Sequence, residues 1–179
     1  MILPIRIMII KCFYKIIMKK KNKGLKIFGI VLGSLVLLYG LIFIANIFVN
    51  ISNRNYIKSI VEEVEYTNKL EPQLDDDGYY YFKLDSQERD FKILNLTDIH
   101  YGGGLLSIRK DRKTIRDVYY LIKEEKPDLV VLDGDNIFAI PYISGTFNNR
   151  NASKTIIELF NRSKVYFTTV FGNHDTEVF

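Results

Sequence analysis

Three short clusters of polar residues interrupt apolar runs: Asp98 and His100, Asp135 with Asn136, and Asn173 with His174 and Asp175. Each follows a run rich in β-branched and large apolar residues, of the kind that forms strands: Phe91 to Thr97, Leu129 to Leu132, and Val165 to Phe171. Asp98 and His100 are two apart, so on an extended chain both side chains point to one face. Carboxylate, amide and imidazole converging at strand ends suit a metal of the manganese, iron or zinc kind better than calcium. Taken singly these motifs are common in turns. Together they fall at the same end of successive strands, and open α/β sheets gather their ligands at the carboxyl ends of strands.

Elements that place those ends side by side can be read between the clusters. Asp111 is a candidate N-cap for a helix carrying Ile115, Val118, Tyr119 and Ile122 on one face, which Pro127 ends. A second helix is expected near Ser153 to Arg162. The order strand, helix, strand, helix, strand predicts an α/β fold with a parallel sheet. Leu129 to Leu132 is apolar throughout, as in a strand buried on both faces. Gly102-Gly103-Gly104 fits neither a helix nor a sheet interior.

Upstream, residues 27–49 carry no charge. At 1.5 Å per residue they reach roughly 35 Å, enough for a transmembrane helix. Eight of the 25 basic residues precede Ile27 and no acidic one does, which predicts a cytoplasmic amino terminus and an extracytoplasmic remainder in a single-pass cell-membrane protein. The run exceeds the apolar core of a signal peptide, and Ala45-Asn46-Ile47 is a poor cleavage site. Residues 1–18 are too charged to span and suit the membrane surface; Met18 is an equal candidate for the start. Beyond the span, 17 basic residues face 21 acidic ones, so no nucleic-acid partner is indicated. The single Cys12 excludes a disulfide framework or a cysteine zinc site.

Residues 50–90 read as a juxtamembrane segment. Ile57, Ile60, Val61 and Val64 make Asn53 to Glu65 a candidate amphipathic stalk helix. Asn68 to Gly78 has linker composition, its Asp75-Asp76-Asp77 run suiting a solvated turn better than a calcium loop. Tyr79 to Leu84 reads as a strand and Ser86 to Asp90 as the turn after it.

The stretches Leu96-Thr97-Asp98-Ile99-His100, Leu132-Asp133-Gly134-Asp135-Asn136 and Gly172-Asn173-His174-Asp175, in this order, resemble the calcineurin-like metallophosphoesterases, in the branch related to purple acid phosphatases. The resemblance covers residues 91–179, the amino-terminal half of a four-layer α/β/β/α domain, and leaves out the basic segment 1–26, the span and residues 50–90. It implies two divalent or trivalent metal ions, manganese, iron or zinc. Asp98 and His100 would bind the first, Asp135 would bridge both, and Asn173 would bind the second. His174 would stand near the leaving group as proton donor or charge stabiliser. A dimetal-activated hydroxide would then hydrolyse a phosphate ester.

Departures from the family pattern carry expectations of their own. Where purple acid phosphatases have a metal-binding tyrosine this chain has Phe138, which implies an uncoloured centre. Asp133 adds a carboxylate that either faces away or tunes the site. The family's two later histidine motifs have no counterpart, since His100 and His174 are the only histidines. The expectation is therefore a fragment with one sheet face uncovered, weak metal binding and little hydrolysis by residues 50–179 alone. Two rivals remain: a non-catalytic membrane-anchored remnant of the fold, and a phosphoacceptor receiver domain, suggested by Pro127 to Asp133. The receiver lacks an acidic pair after its first strand.

Overall fold

The structure, a computed structural model, describes residues 3–84, 89–146 and 148–176, with side chains from Lys23 onward. The turn expected at Ser86 to Asp90 lies mostly outside the described residues. The chain divides into two compact units, Met1–Leu41 and Ile42–Phe179.

A single helix, α1 (Leu3–Ile60), runs through residues expected to form both the span and the stalk. No separate stalk helix exists, because nothing between Val49 and Asn53 breaks the helix. It is long and apolar enough to cross a membrane by length and composition, and in the first unit the large apolar residues Leu25 to Leu41 are exposed. In the second unit the helix is part of the fold: Asn46, Val49, Asn50, Asn53 and Ile57 are buried. The last turn of the expected span, up to Val49, is thus packed against protein.

The helix ends at Ile60, five residues earlier than the periodicity suggested. Val61 and Val64 nevertheless stay in the core, with Val64 N–H bonded to the Ser163 carbonyl. Next, β1 (Pro72–Leu74) and β2 (Tyr80–Phe82) pair antiparallel. β1 falls in the stretch whose composition suggests a linker; Pro72 is its first residue, where a missing N–H costs no ladder bond. The acidic run between the strands is a turn, with Asp75 Oδ1 accepting from the Asp77 and Tyr79 amides.

The remainder of the second unit is β3 (Ile93–Leu96), α2 (Ile108–Glu125), β4 (Leu129–Asp133), α3 (Pro141–Ser144), α4 (Asn149–Ser163), β5 (Phe167–Val170) and a 3-10 turn, His174–Thr176. The three strands form a parallel sheet in the order β3-β4-β5, as the strand and helix alternation predicted. One face is packed: Val130 and Leu132 lie in a core with Ile115, Tyr119 and Ile122 of α2, Ile156, Leu159 and Phe160 of α4, and Ile57 of α1. The other face is open. Along β4 burial alternates, with Val130 and Leu132 buried and Asp133 exposed, and Ile93 and Val170 of the flanking strands are also exposed. The expectation that β4 is covered on both faces fails because, among the described residues, helices cover only one.

Helix boundaries shift from the expected ones for local reasons. Helix α2 starts three residues before Asp111, whose carboxylate is buried and committed to the loop before the helix. Helix α4 begins at Asn149 because Asn148 caps it, its side chain accepting from the Asn151 amide.

Candidate metal centre

The parallel ladder does not stop at the last strand residue. Past β3 and β4 the Asp98 N–H bonds to the Gly134 carbonyl, His100 N–H to Asp135, and Tyr101 N–H to Asn136, with Phe138 N–H returning to the Tyr101 carbonyl. These bonds hold the Asp98-His100 and Asp135 segments side by side, as the sequence required. The backbone is strained where it does this. Five described non-glycine residues have positive φ; Lys126 and Lys164 are helix C-caps, and the other three are Asp98 (55°), His100 (49°) and Asp135 (50°). Such strain persists only where surrounding structure imposes it, and it concentrates at functional sites.

From β5 the third segment arrives through a glycine contact. A Cβ on Gly172 would lie 2.1 Å from Asp135 Oδ1 and 2.3 Å from Asp135 N, and one on Gly134 (φ +84°) would lie 3.1 Å from Gly172 Cα. Two glycines back to back therefore allow the β4 and β5 ends to touch. The His174 N–H then donates to Asp135 Oδ1 at 3.0 Å.

These contacts bring His100, Asp135 and His174 together, with ligand atoms all within 4.8 Å of one another. Asp98 joins through His100, whose Nε2 lies 3.8 Å from Asp98 Oδ1 and 3.8 Å from Asp135 Oδ2. Among the described residues, the ion-pair contacts of Asp98 and Asp135 are these two with His100. Two carboxylates and two imidazoles gathered this closely fit a di- or trivalent cation, so the donor set suits the metals the resemblance implies. Asn173 is exposed in the turn between β5 and the 3-10 helix, its carbonyl accepting from Thr176 Oγ1.

Phe138 stands against both imidazoles, edge-on to His174 at 4.6 Å between centroids and tilted to His100 at 5.0 Å. It has no ligand atom. Asp133 is exposed, on the open sheet face, where Asn95 Nδ2 reaches its carboxylate at 3.5 Å. On an extended chain residues two apart would share a face, but the positive φ of Gly134 (84°) and Asp135 (50°) breaks the strand between Asp133 and Asp135.

Asn136, a member of the strand-end polar clusters, and Asp175 act here as organising residues. The Asp175 carboxylate accepts from Ile137 N at 2.7 Å, Gly172 N at 2.9 Å and Asn136 Nδ2 at 3.1 Å, and so ties the β5 turn to the β4 loop. Asn136 also donates to the Val170 carbonyl. Aspartate favours turns because its carboxylate accepts from nearby backbone amides, and that residue type after the last strand is the signal the sequence holds.

Comparison with known proteins agrees with the geometry. Residues 91–179 match the family model for calcineurin-like phosphoesterase. From Arabidopsis thaliana, probable inactive purple acid phosphatase 29 is 35% identical over 102 residues, and probable inactive purple acid phosphatase 28 is 30% identical over 101. Each match covers 49% of this chain and 24% of the relative, so the chain spans about a quarter of the length of these curated proteins. No solved structure gives a significant match. Through residues 91–179, the chain belongs to the calcineurin-like phosphoesterase family.

Proposed function

We propose that the chain serves metal-dependent hydrolysis of a phosphate ester at a membrane surface. The observation that carries this is the convergence of His100, Asp135 and His174 within 4.8 Å, with His100 and Asp135 held in left-handed backbone. Asp98 and His100 would hold one ion, Asp135 would be shared by two, and Asn173 would offer its amide oxygen to the second. Two manganese, iron or zinc ions would supply a nucleophile from water and positive charge against the phosphoryl oxygens.

The chain's own residues do the rest. Asp135 takes the His174 N–H on Oδ1, which leaves Oδ2 turned towards His100 and orients the carboxylate. His174, beside that carboxylate, is the candidate proton donor to the leaving-group oxygen. Phe138 packs on both imidazoles and restricts their rotation; lacking a phenol oxygen, it is consistent with an uncoloured centre. The exposed face with Ile93 and Val170 is where the second sheet of a four-layer α/β/β/α arrangement would pack. Helix α1 would anchor the domain in a lipid bilayer, with its basic amino-terminal end cytoplasmic and the site outside.

A second reading, a non-catalytic metal- or phosphate-binding domain, is favoured by the names of the relatives, which are termed probable inactive. The test uses the full chain in detergent with Mn²⁺. Inorganic phosphate is titrated by calorimetry and p-nitrophenyl phosphate turnover is followed. Metal-dependent phosphate binding with turnover above that of Mn²⁺ alone supports hydrolysis. Binding without turnover selects the second reading, and no metal-dependent phosphate binding overturns both.

A further inference from the structure

The face of α1 that enters the α/β unit is polar where an apolar stripe is the rule. Asn46, Asn50, Asn53 and Ile57 follow one another three or four residues apart along one side, with Val61 just past the helix end, and all are buried. The asparagines are 7%, 2% and 0% exposed. A buried amide destabilises unless its donors and acceptors are met, and these amides are met by the segment that follows His100 and its neighbours.

Asn46 accepts from Leu105 N at 2.9 Å and donates to the Gly145 carbonyl at 2.6 Å. Asn50 Nδ2 donates to the Gly103 carbonyl at 2.8 Å and, within its own helix, to the Asn46 carbonyl at 2.8 Å. Thr155 Oγ1 lies 3.4 Å from Asn50 Oδ1. Asn53 Nδ2 donates to the Tyr101 hydroxyl at 2.8 Å, while its Oδ1 lies 3.4 Å from Arg112 Nε.

The partner loop explains why these residues are asparagines. A Cβ at Gly102 would lie 2.5 Å from Ser107 Oγ, at Gly103 2.7 Å from the Ala152 Cβ, and at Gly104 2.1 Å from the Ser144 carbonyl oxygen. The loop therefore has no side chains with which to satisfy its own backbone. Its amides are taken up by Asp111, which accepts from Gly102 N and Gly103 N at 3.0 Å each, and by Ser107 Oγ, which accepts from Gly104 N. A carbonyl and the leading tyrosine hydroxyl are taken up by Asn50 and Asn53. The same loop is the direct continuation of His100, and Tyr101 N–H and C=O join it to Asn136 and Phe138.

We infer that Asn50 and Asn53 are positioning residues for the candidate metal centre: the end of α1 holds the Tyr101–Gly104 loop, and through it sets where His100 stands. The consequence for metal affinity rests on the proposed function; the hold on the loop does not. A merely structural role would weaken the whole unit alike, so the readout must separate loop from sheet.

In the full chain in detergent, amide hydrogen exchange is compared among wild type, Asn50→Leu, Tyr101→Phe and Val61→Ala. The last loosens the same core without touching the loop. Tyr101→Phe removes the Asn53 partner by one atom and serves if Asn50→Leu does not fold. The expected result is exchange at Gly102 to Leu105 at least tenfold faster in the first two variants, with amides of β4 changed no more than in Val61→Ala. Equal changes in loop and β4 overturn the inference. Co²⁺ titration is the second arm: affinity about tenfold weaker in the loop variants and unchanged in Val61→Ala is expected. If wild type binds Co²⁺ and the loop variants bind it equally, the inference fails. If wild type binds none, the proposed function fails and the exchange result decides the hold on the loop.

Discussion

Replacing Gly172 by alanine adds one methyl group at the closest approach of the β4 and β5 ends. Its carbon would lie 2.1 Å from Asp135 Oδ1, 2.3 Å from Asp135 N and 2.8 Å from Asp135 Cγ, against ordinary contacts of 3.4 Å and above. Something must move by about 1 Å. The carboxylate could rotate away, but it would then leave the His174 N–H that orients it. The Asp135 nitrogen cannot rotate away, and its residue already sits at φ 50°. Overpacking of this kind costs about 1–3 kcal/mol. Displacing a proposed ligand by so much weakens metal binding by roughly 10–100-fold, the range found when ligand-orienting contacts are lost. Gly78→Ala is the matched control: open space surrounds Gly78, but its φ of +86° makes alanine cost about 1–2 kcal/mol. Thermal unfolding and Co²⁺ titration of both variants in the full chain provide the assay. Similar losses of stability are expected, with metal affinity falling in Gly172→Ala alone. Wild-type affinity in Gly172→Ala would refute the claim that this contact shapes the site.

Two further outcomes follow from strain and burial. Lys126→Gly relieves a left-handed C-cap and should raise stability by about 1 kcal/mol with metal affinity unchanged; Asp98→Gly relieves the same kind of strain but should lose metal affinity, and chemical denaturation with Co²⁺ titration separates the two. Burial holds the Asp111 carboxyl up at about 6, above its ordinary 3.8. Its folded pKa is raised, so stability from this group is full below about pH 4 and lost as pH rises to about 6; denaturation midpoints across that window should fall by an amount worth about 2–3 kcal/mol, and Asp111→Asn should remove that slope.

Strand positions and their shared end were legible because β-branched runs and strand-end polar residues are local features. The expected strands 91–97, 129–132 and 165–171 enclose or nearly match β3, β4 and β5. What escaped depends on contacts distant in sequence. Asp111 looked like a cap because its spacing to the helix is right, yet its partners are the Gly102 and Gly103 amides. Asn46, Asn50 and Asn53 carried no pattern, since an asparagine on an otherwise apolar helix gains meaning only from the glycine loop it faces. Gly172 showed only its place in the last motif; its necessity comes from Asp135, which lies on the far side of α3 and α4 in the sequence.

The central claim is that Asp98, His100, Asp135 and His174 form a metal-binding centre, with Asp135 at its middle. Co²⁺ titration of the full chain, followed by visible absorption, should show saturable binding that weakens at least tenfold, about 1.4 kcal/mol, in Asp135→Ala. Wild-type and Asp135→Ala titrations that superimpose would contradict it.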